Sequence, residues 1–181
     1  MAKLLYSVTM SLDGFIAGPG GDMSWLTPHL GPNPMVDDLI ADIGSLLVGR
    51  NTFGGDDPYK DDEERGGKAF GGGWEGEQFV LTHHEPDARI PGVTFVGDLK
   101  SAVAAAKEAA GDKYVNVLGA DTARQCLEAG ELDEVLTLIA PVMLGDGVRL
   151  FHHPGGAEVR LERTHVSHVP HAVNVWYRVV R

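Results

Sequence analysis

Three apolar runs in this sequence end in residues that can hold an anion. Leu47-Val48-Gly49 is followed by Arg50-Asn51-Thr52, Leu81 by Thr82-His83-His84, and Val117-Leu118-Gly119 by Ala120-Asp121-Thr122. Glycine at a strand end lets a ligand approach the backbone, and free N–H groups at the start of a helix attract negative charge. Arg50 can make charge-assisted bonds to phosphate, and Thr52 can cap a helix or bind phosphate itself. Each motif has a plainer account. Gly119 also suits a tight turn with no ligand, and Arg50 also suits the surface beside a capping threonine. None of them is the G-x-G-x-x-G dinucleotide fingerprint. Their convergence predicts a ligand site along the C-terminal ends of parallel strands, where open α/β sheets bind.

The elements that would carry these motifs alternate along the chain. Residues 4–10, 45–49, 78–82, 93–96, 114–118 and 134–140 read as short apolar strands. Residues 33–42, with Met35, Leu39 and Asp42 at helical steps, read as a helix. Asp98 is a candidate N-cap for a helix over 99–110 stopped by Gly111, and a second helix over 121–129 ends at Gly130. Residues 158–169 and 172–180 alternate and flank Val169-Pro170-His171-Ala172, as in an antiparallel hairpin. The assembly is an α/β single domain over 1–181, with a mostly parallel central sheet and an antiparallel C-terminal hairpin.

Composition narrows the partners. The chain has 181 residues, 15 Lys and Arg against 26 Asp and Glu, and a net charge of −11. That argues against a nucleic-acid surface, so an anionic ligand needs a local positive pocket. No run approaches a membrane span, and the N-terminus has no secretion-signal pattern. The single Cys126 excludes an internal disulfide and fits the cytoplasm; mid-helix with Ala123 and Leu127, it reads as a small buried hydrophobe. His152-His153 and the His165, His168, His171 series lack ligand spacing, so no metal is expected. Residues 54–76 hold eight of the 24 glycines and many acids, together with Tyr59, Phe70 and Trp74. They suit either a disordered surface loop or a lid over the ligand.

Further residues carry a family resemblance. They are Ser11-Leu12-Asp13-Gly14-Phe15-Ile16-Ala17, Asp22-Met23-Ser24-Trp25-Leu26-Thr27, Val48 to Thr52, Asp56-Asp57-Pro58, and Gly119 through Gly130. To these are added Leu132-Asp133-Glu134-Val135 and Ile139-Ala140-Pro141-Val142-Met143-Leu144-Gly145. In order, over about residues 3–151, the chain resembles the dihydrofolate-reductase-like three-layer fold. More closely it is similar to the RibD C-terminal domain, the reductase half of the riboflavin-biosynthesis deaminase/reductase. The zinc-binding deaminase motif is absent.

The resemblance implies an NADPH-dependent reductase acting on a pyrimidine- or pterin-like small molecule, such as 5-amino-6-(5-phosphoribosylamino)uracil, in a homodimer. It places Thr9, Ile16 and Ala17 at the nicotinamide. Gly49, Arg50, Asn51 and Thr52 fall at the adenosine side and phosphates, with Asp56 beside them. Thr82, His83 and His84 take the 2′-phosphate, and Gly119, Ala120, Asp121, Thr122 and Ala123 the pyrophosphate. Trp25, at the mouth, and Asp13 are the catalytic candidates, although a β-turn after the first strand also accounts for Asp13-Gly14.

The departures from the family matter. Ala120 replaces a second glycine, and Asp121 would compete with phosphate for the helix N–H groups. Val117 stands where the riboflavin enzymes carry an acid on the strand. The arginine expected after Asp-Asp-Pro is missing from the acidic run Asp61-Asp62-Glu63-Glu64, leaving Arg65 as substitute. Asp37 and Asp38 are the only candidates for the pterin-protonating carboxylate of dihydrofolate reductases, and solvent-exposed helix positions account for them as well. An acidic lid argues against a strongly anionic substrate. Two alternatives stay open: a non-catalytic nucleotide or flavin binder on a reductase fold, and a reductase using a deazaflavin.

Overall fold

The computed structural model describes residues 1–84 and 89–181. Its centre is the strand β1 (Leu4–Ser11), whose Leu4, Leu5 and Tyr6 are all inaccessible to solvent. A strand apolar on both faces needs cover on both, which is the condition of an interior parallel strand. β1 lies between β6 (Tyr114–Leu118) and β7 (Leu132–Ala140), parallel to each. The sheet continues from β6 to β3 (Ile43–Gly49), β4 (Glu77–Leu81) and β5 (Val93–Val96), all parallel. Beyond β7 it turns antiparallel with β10 (Ala172–Val179) and β9 (Leu161–Val169). The order of the eight strands is β5-β4-β3-β6-β1-β7-β10-β9.

Helices complete three layers. α3 (Leu99–Ala110) and α4 (Ala120–Glu128) cover one face, burying Ala102, Val103, Ala106, Ala123 and Cys126 against Leu4, Tyr6, Leu47, Val115 and Val117. α3 begins as expected, with the Asp98 carboxylate accepting the Ser101 N–H at 2.9 Å, and stops at Gly111 with φ 64°. On the opposite face α1 (Pro34–Ala41) packs Leu39 among Leu5, Leu46, Val48 and Leu136. The fourth helix, α2 (Arg50–Phe53), is a single turn following β3. Among the described residues no helix is long and apolar enough to cross a membrane.

Two features escape the sequence pattern. A two-stranded sheet joins β2 (Phe15–Ala17) to β8 (Val148–Arg149), both too short to show a period. Residues 54–76 are folded onto the body by their own acids. Asp57 accepts the N–H groups of Tyr59 at 2.8 Å and Gly67 at 2.5 Å, while Asp62 accepts those of Glu64 at 3.0 Å and Arg65 at 3.1 Å. Asp56 accepts the Met23 N–H at 3.0 Å and pairs with Lys60 at 3.0 Å. Trp74 is buried and donates its indole N–H to the Ile43 carbonyl at 3.0 Å.

Asp13 ties the end of β1 to the segment after β7. Its Oδ1 accepts from the Ser11 hydroxyl at 2.6 Å and the Leu144 N–H at 3.0 Å, and its Oδ2 from the Gly145 N–H at 2.7 Å. The Ser11 hydroxyl, with the Gly145 and Leu144 amides behind it, holds the carboxyl down to about 2. A carboxyl depressed in the fold adds stability above its unfolded value of ~3.9, and that stability drains away as pH falls through the folded one. Asp13→Ala should therefore melt below the wild type at neutral pH, with the gap closing between about pH 4 and pH 2. A gap independent of pH in calorimetric scans would show that the charged clamp is not its source.

Candidate functional site

The C-terminal ends of β3 and β6 lie side by side, and the loops that leave them lock together. A Cβ on Gly49 would stand 2.6 Å from the Thr122 hydroxyl, and a Cβ on Gly119 would stand 2.6 Å from the Thr52 hydroxyl. Each glycine receives the threonine of the other strand's helix. Gly119, at φ 108°, also takes a backbone conformation open to few other residues. The lock draws the starts of α2 and α4 into one cleft of about 880 Å³ that extends past Leu81 and Thr82 to Asp98. Thr82 closes a tight turn, its hydroxyl oxygen accepting the His84 N–H at 3.1 Å, and His83 and His84 stand exposed on the cleft wall. Arg50 lines it too and forms no ion pair among the described residues.

Asp121 does not obstruct the cleft as its place at the helix start suggested. Its carboxylate turns along the helix to Arg124 at 2.6 Å and Gln125 at 2.8 Å, and the bonded guanidinium holds it below the usual carboxylate range. No side chain caps α4 at Gly119. The helix N–H groups keep their attraction for an anion, and the acid is neutralised by its neighbour.

A second cavity, of about 640 Å³, opens on the α1 face of the sheet. It shares Ser7, Val8 and Leu118 with the first, so the two meet over one floor. Its walls are Val36, Asp37 and Ile40 of α1, the segment 29–33, and His171 in the β9–β10 turn. A reciprocal amide pair fixes these walls: Asn33 Nδ2 donates to Asn174 Oδ1 and Asn174 Nδ2 to Asn33 Oδ1, both at 3.0 Å. The roof is the folded loop, which presents Tyr59, Arg65, Lys68 and Phe70. Arg65 stacks 4.0 Å from the Tyr59 ring centre. Beneath the floor Ser7 donates to Asn116 Oδ1 at 2.7 Å, while Asn116 Nδ2, wholly buried, has no partner among the described residues.

The structure gathers most of the expected cofactor residues. Ile16, Ala17, Gly49, Arg50, Asn51, Thr52, Asp56, Thr82, His83, His84, Gly119, Ala120, Asp121 and Thr122 all line the first cleft. Ala123 does not; it points into the helix-side core with no exposure. Thr9 lies in the second cavity, because its side chain leaves the opposite face of β1 from Tyr6 and Val8. Asp13 lines neither, its carboxylate being taken up by the clamp described above. Trp25 is half-buried against His29, with ring centres 6.3 Å apart, and its indole N–H is buried without a partner among the described residues. His29 rather than Trp25 reaches the cavity wall.

The facing of strand and helix positions also sorts the residues expected near the second cavity. Val117 faces the helix-side core, so the strand position beside Gly119 that faces ligand is Leu118. Of the two helix acids, Asp37 lines the cavity and Asp38 an outer groove against β9. Arg65 and Lys68, separated from the rest of the site in sequence, arrive at the roof only because Asp57 and Asp62 fold the loop. His171 had a sequence signal as a turn residue but none as a site residue.

The chain matches the family model of the RibD C-terminal domain over residues 2–175. It is 24% identical over 158 residues to the uncharacterized protein YwjB of Bacillus subtilis, covering 83% of each chain. Among solved structures it is similar to a Shewanella sp. PV-4 protein named for riboflavin biosynthesis, at a TM-score of 0.79 and 23% identity over the whole of both chains. It is also similar to the diaminohydroxyphosphoribosylaminopyrimidine deaminase/5-amino-6-(5-phosphoribosylamino)uracil reductase of Thermotoga maritima, at a TM-score of 0.69 and 20% identity. That match covers 99% of this chain and 57% of the other. At these identities the structural likenesses establish the fold.

The interlocked turns yield a prediction. Gly119→Ala should lose about 1–3 kcal/mol of stability through backbone strain, with a further loss from the contact with Thr52. Adding Thr52→Ala should recover the contact part and leave the strain. Chemical denaturation of the single and double variants checks this, and equal stability of the two would show that the threonine does not fill the glycine's place.

Proposed function

The chain belongs to the RibD C-terminal domain family, and on that premise we propose that it is an NADPH-dependent reductase of a small pyrimidine- or pterin-like heterocycle. The observation that carries this reading is the shared floor of Ser7, Val8 and Leu118. It lets a ligand in the long phosphate-suited cleft meet a second ligand in the α1-side cavity. The residues fit the cofactor. The start of α4, which no side chain caps among the described residues, offers backbone N–H groups to phosphates, and Arg50, His83 and His84 supply cationic or donor groups. When bound, NADPH supplies a hydride to the acceptor. The protein's part is to orient: Ile16 and Ala17 at the nicotinamide end, the starts of α2 and α4 at the pyrophosphate, Thr82 to His84 at the 2′-phosphate.

The second cavity suits a heterocycle with an anionic tail. Leu39, Leu118 and Leu138 offer apolar walls, Ser7 and Thr9 polar atoms at the floor, and Arg65 and Lys68 a cationic roof. Two of the roof's acids, Asp57 and Asp62, accept backbone N–H groups and order the loop that presents Arg65 and Lys68 to the cavity. Asp37, His29 and His171 are the wall groups able to pass a proton to the reduced product. A reductase with a lone buried cysteine suits the cytoplasm, and the exposed edge strand β9 suits a homodimer.

Saturating NADPH should raise the melting temperature by several degrees; no shift with NADPH or NADH would overturn the cofactor assignment, and a shift with reduced deazaflavin alone would reassign it. Arg50→Ala should weaken NADPH more than NADH. With 5-amino-6-(5-phosphoribosylamino)uracil as acceptor, Arg65→Ala should raise KM about tenfold, and the dephosphorylated nucleoside should show no such change.

A further inference from the structure

Phe70 is the one non-glycine residue with a left-handed backbone among those described, at φ 51° and ψ 34°. Gly71 and Gly72 continue the run at φ 62° and 86°. Glycine adopts such angles freely, but a bulky residue with a Cβ is strained there, and strain persists only where the surroundings over-determine it. The surroundings are visible. A Cβ on Gly71 would stand 3.0 Å from the Arg65 Nε and 3.1 Å from the Tyr59 ring, so the chain lies flush on the stacked pair. The turn that this close approach requires sends the Phe70 ring into the wall of the second cavity, with its rear on the core that holds Leu39 and Val48. A turn that served packing alone has glycine neighbours on which to place its strained position. Instead the strain falls on the aromatic residue that reaches the cavity.

We propose that Phe70 is the stacking face for the flat conjugated ring of the substrate, and that the left-handed turn at 70–72 exists to hold it there. This rests on the reductase reading above. It adds the residue that selects a planar ring, with Arg65 and Lys68 beside it for the tail. A ring offset-stacked on Phe70 exposes its edge to Ser7 and Thr9 on the floor.

The experiment compares Phe70→Leu, Phe70→Ala and Phe70→Gly in the full chain, titrating 5,6-diaminouracil and pterin by calorimetry with and without NADPH. Phe70→Leu keeps the apolar bulk and the strain but not the aromatic face. It should weaken both heterocycles by up to about tenfold while NADPH affinity stays at the wild-type value. Phe70→Gly should bind heterocycles as poorly as Phe70→Ala yet melt about 2–4 °C higher, because glycine relieves the left-handed backbone. The proposal is overturned if Phe70→Leu binds the heterocycles like the wild type, if the glycine variant is no more stable than the alanine variant, or if the wild type binds neither compound. Failure of the wild type to bind NADPH, with heterocycle binding intact, would instead sink the reductase reading and leave Phe70 in place.

Discussion

The site depends on one steric fact: the ends of β3 and β6 approach so closely that Gly49 and Gly119 each make room for the other's threonine. Parallel neighbours in an α/β sheet end at the same edge, and what leaves them must diverge or interlock. Here they interlock. The two helix starts share a cleft, and the backbone there stays bare enough to meet a charged ligand. Everything else about the first cleft follows from that edge, including the convergence of Arg50, Thr82 to His84 and Ala120 to Thr122, which are far apart in the chain.

The second constraint is electrostatic and local. A chain of net charge −11 is an unpromising host for an anionic dinucleotide or a phosphorylated substrate. Several acids near the site are nevertheless engaged, Asp37 of the second cavity not among them. Asp56, Asp57 and Asp62 hold backbone N–H groups, and Asp121 lies against Arg124 and Gln125. A carboxylate so engaged orders a loop or offsets a cation, and hydrogen bonds from backbone amides keep it ionised. Arg50, Arg65 and Lys68 form no ion pair among the described residues and all reach a cavity.

The two cavities also differ in how they are held. The first is framed by strand ends within the rigid sheet. The second is framed by pieces from four parts of the chain: α1, the 29–33 segment, the folded loop and the β9–β10 turn. The Asn33–Asn174 amide pair and the Asp57 clamp help to secure it. Shape in the first cleft is thus set by backbone, and shape in the second by side chains and turns, which can vary without disturbing the sheet.

Strands, helices and the strand ends that line the first cleft were legible in the sequence because their signals are local. Buried strands read as apolar runs, Asp98, Gly111 and Gly130 punctuate helices, and a glycine before a helix marks a phosphate-suited turn. Family likeness supplied the order of these motifs. Sequence alone did not tell Val117 from Leu118 or Asp37 from Asp38, since which face of an element meets the cavity depends on neighbours distant in the chain. Nor did it separate Asp13, a clamp between β1 and the segment after β7, from a catalytic acid, because only the fold brings Leu144 and Gly145 to its carboxylate. The second cavity was invisible for the same reason. Composition records how many charges the loop carries, whereas only tertiary structure decides which of them face a backbone amide and which face a ligand.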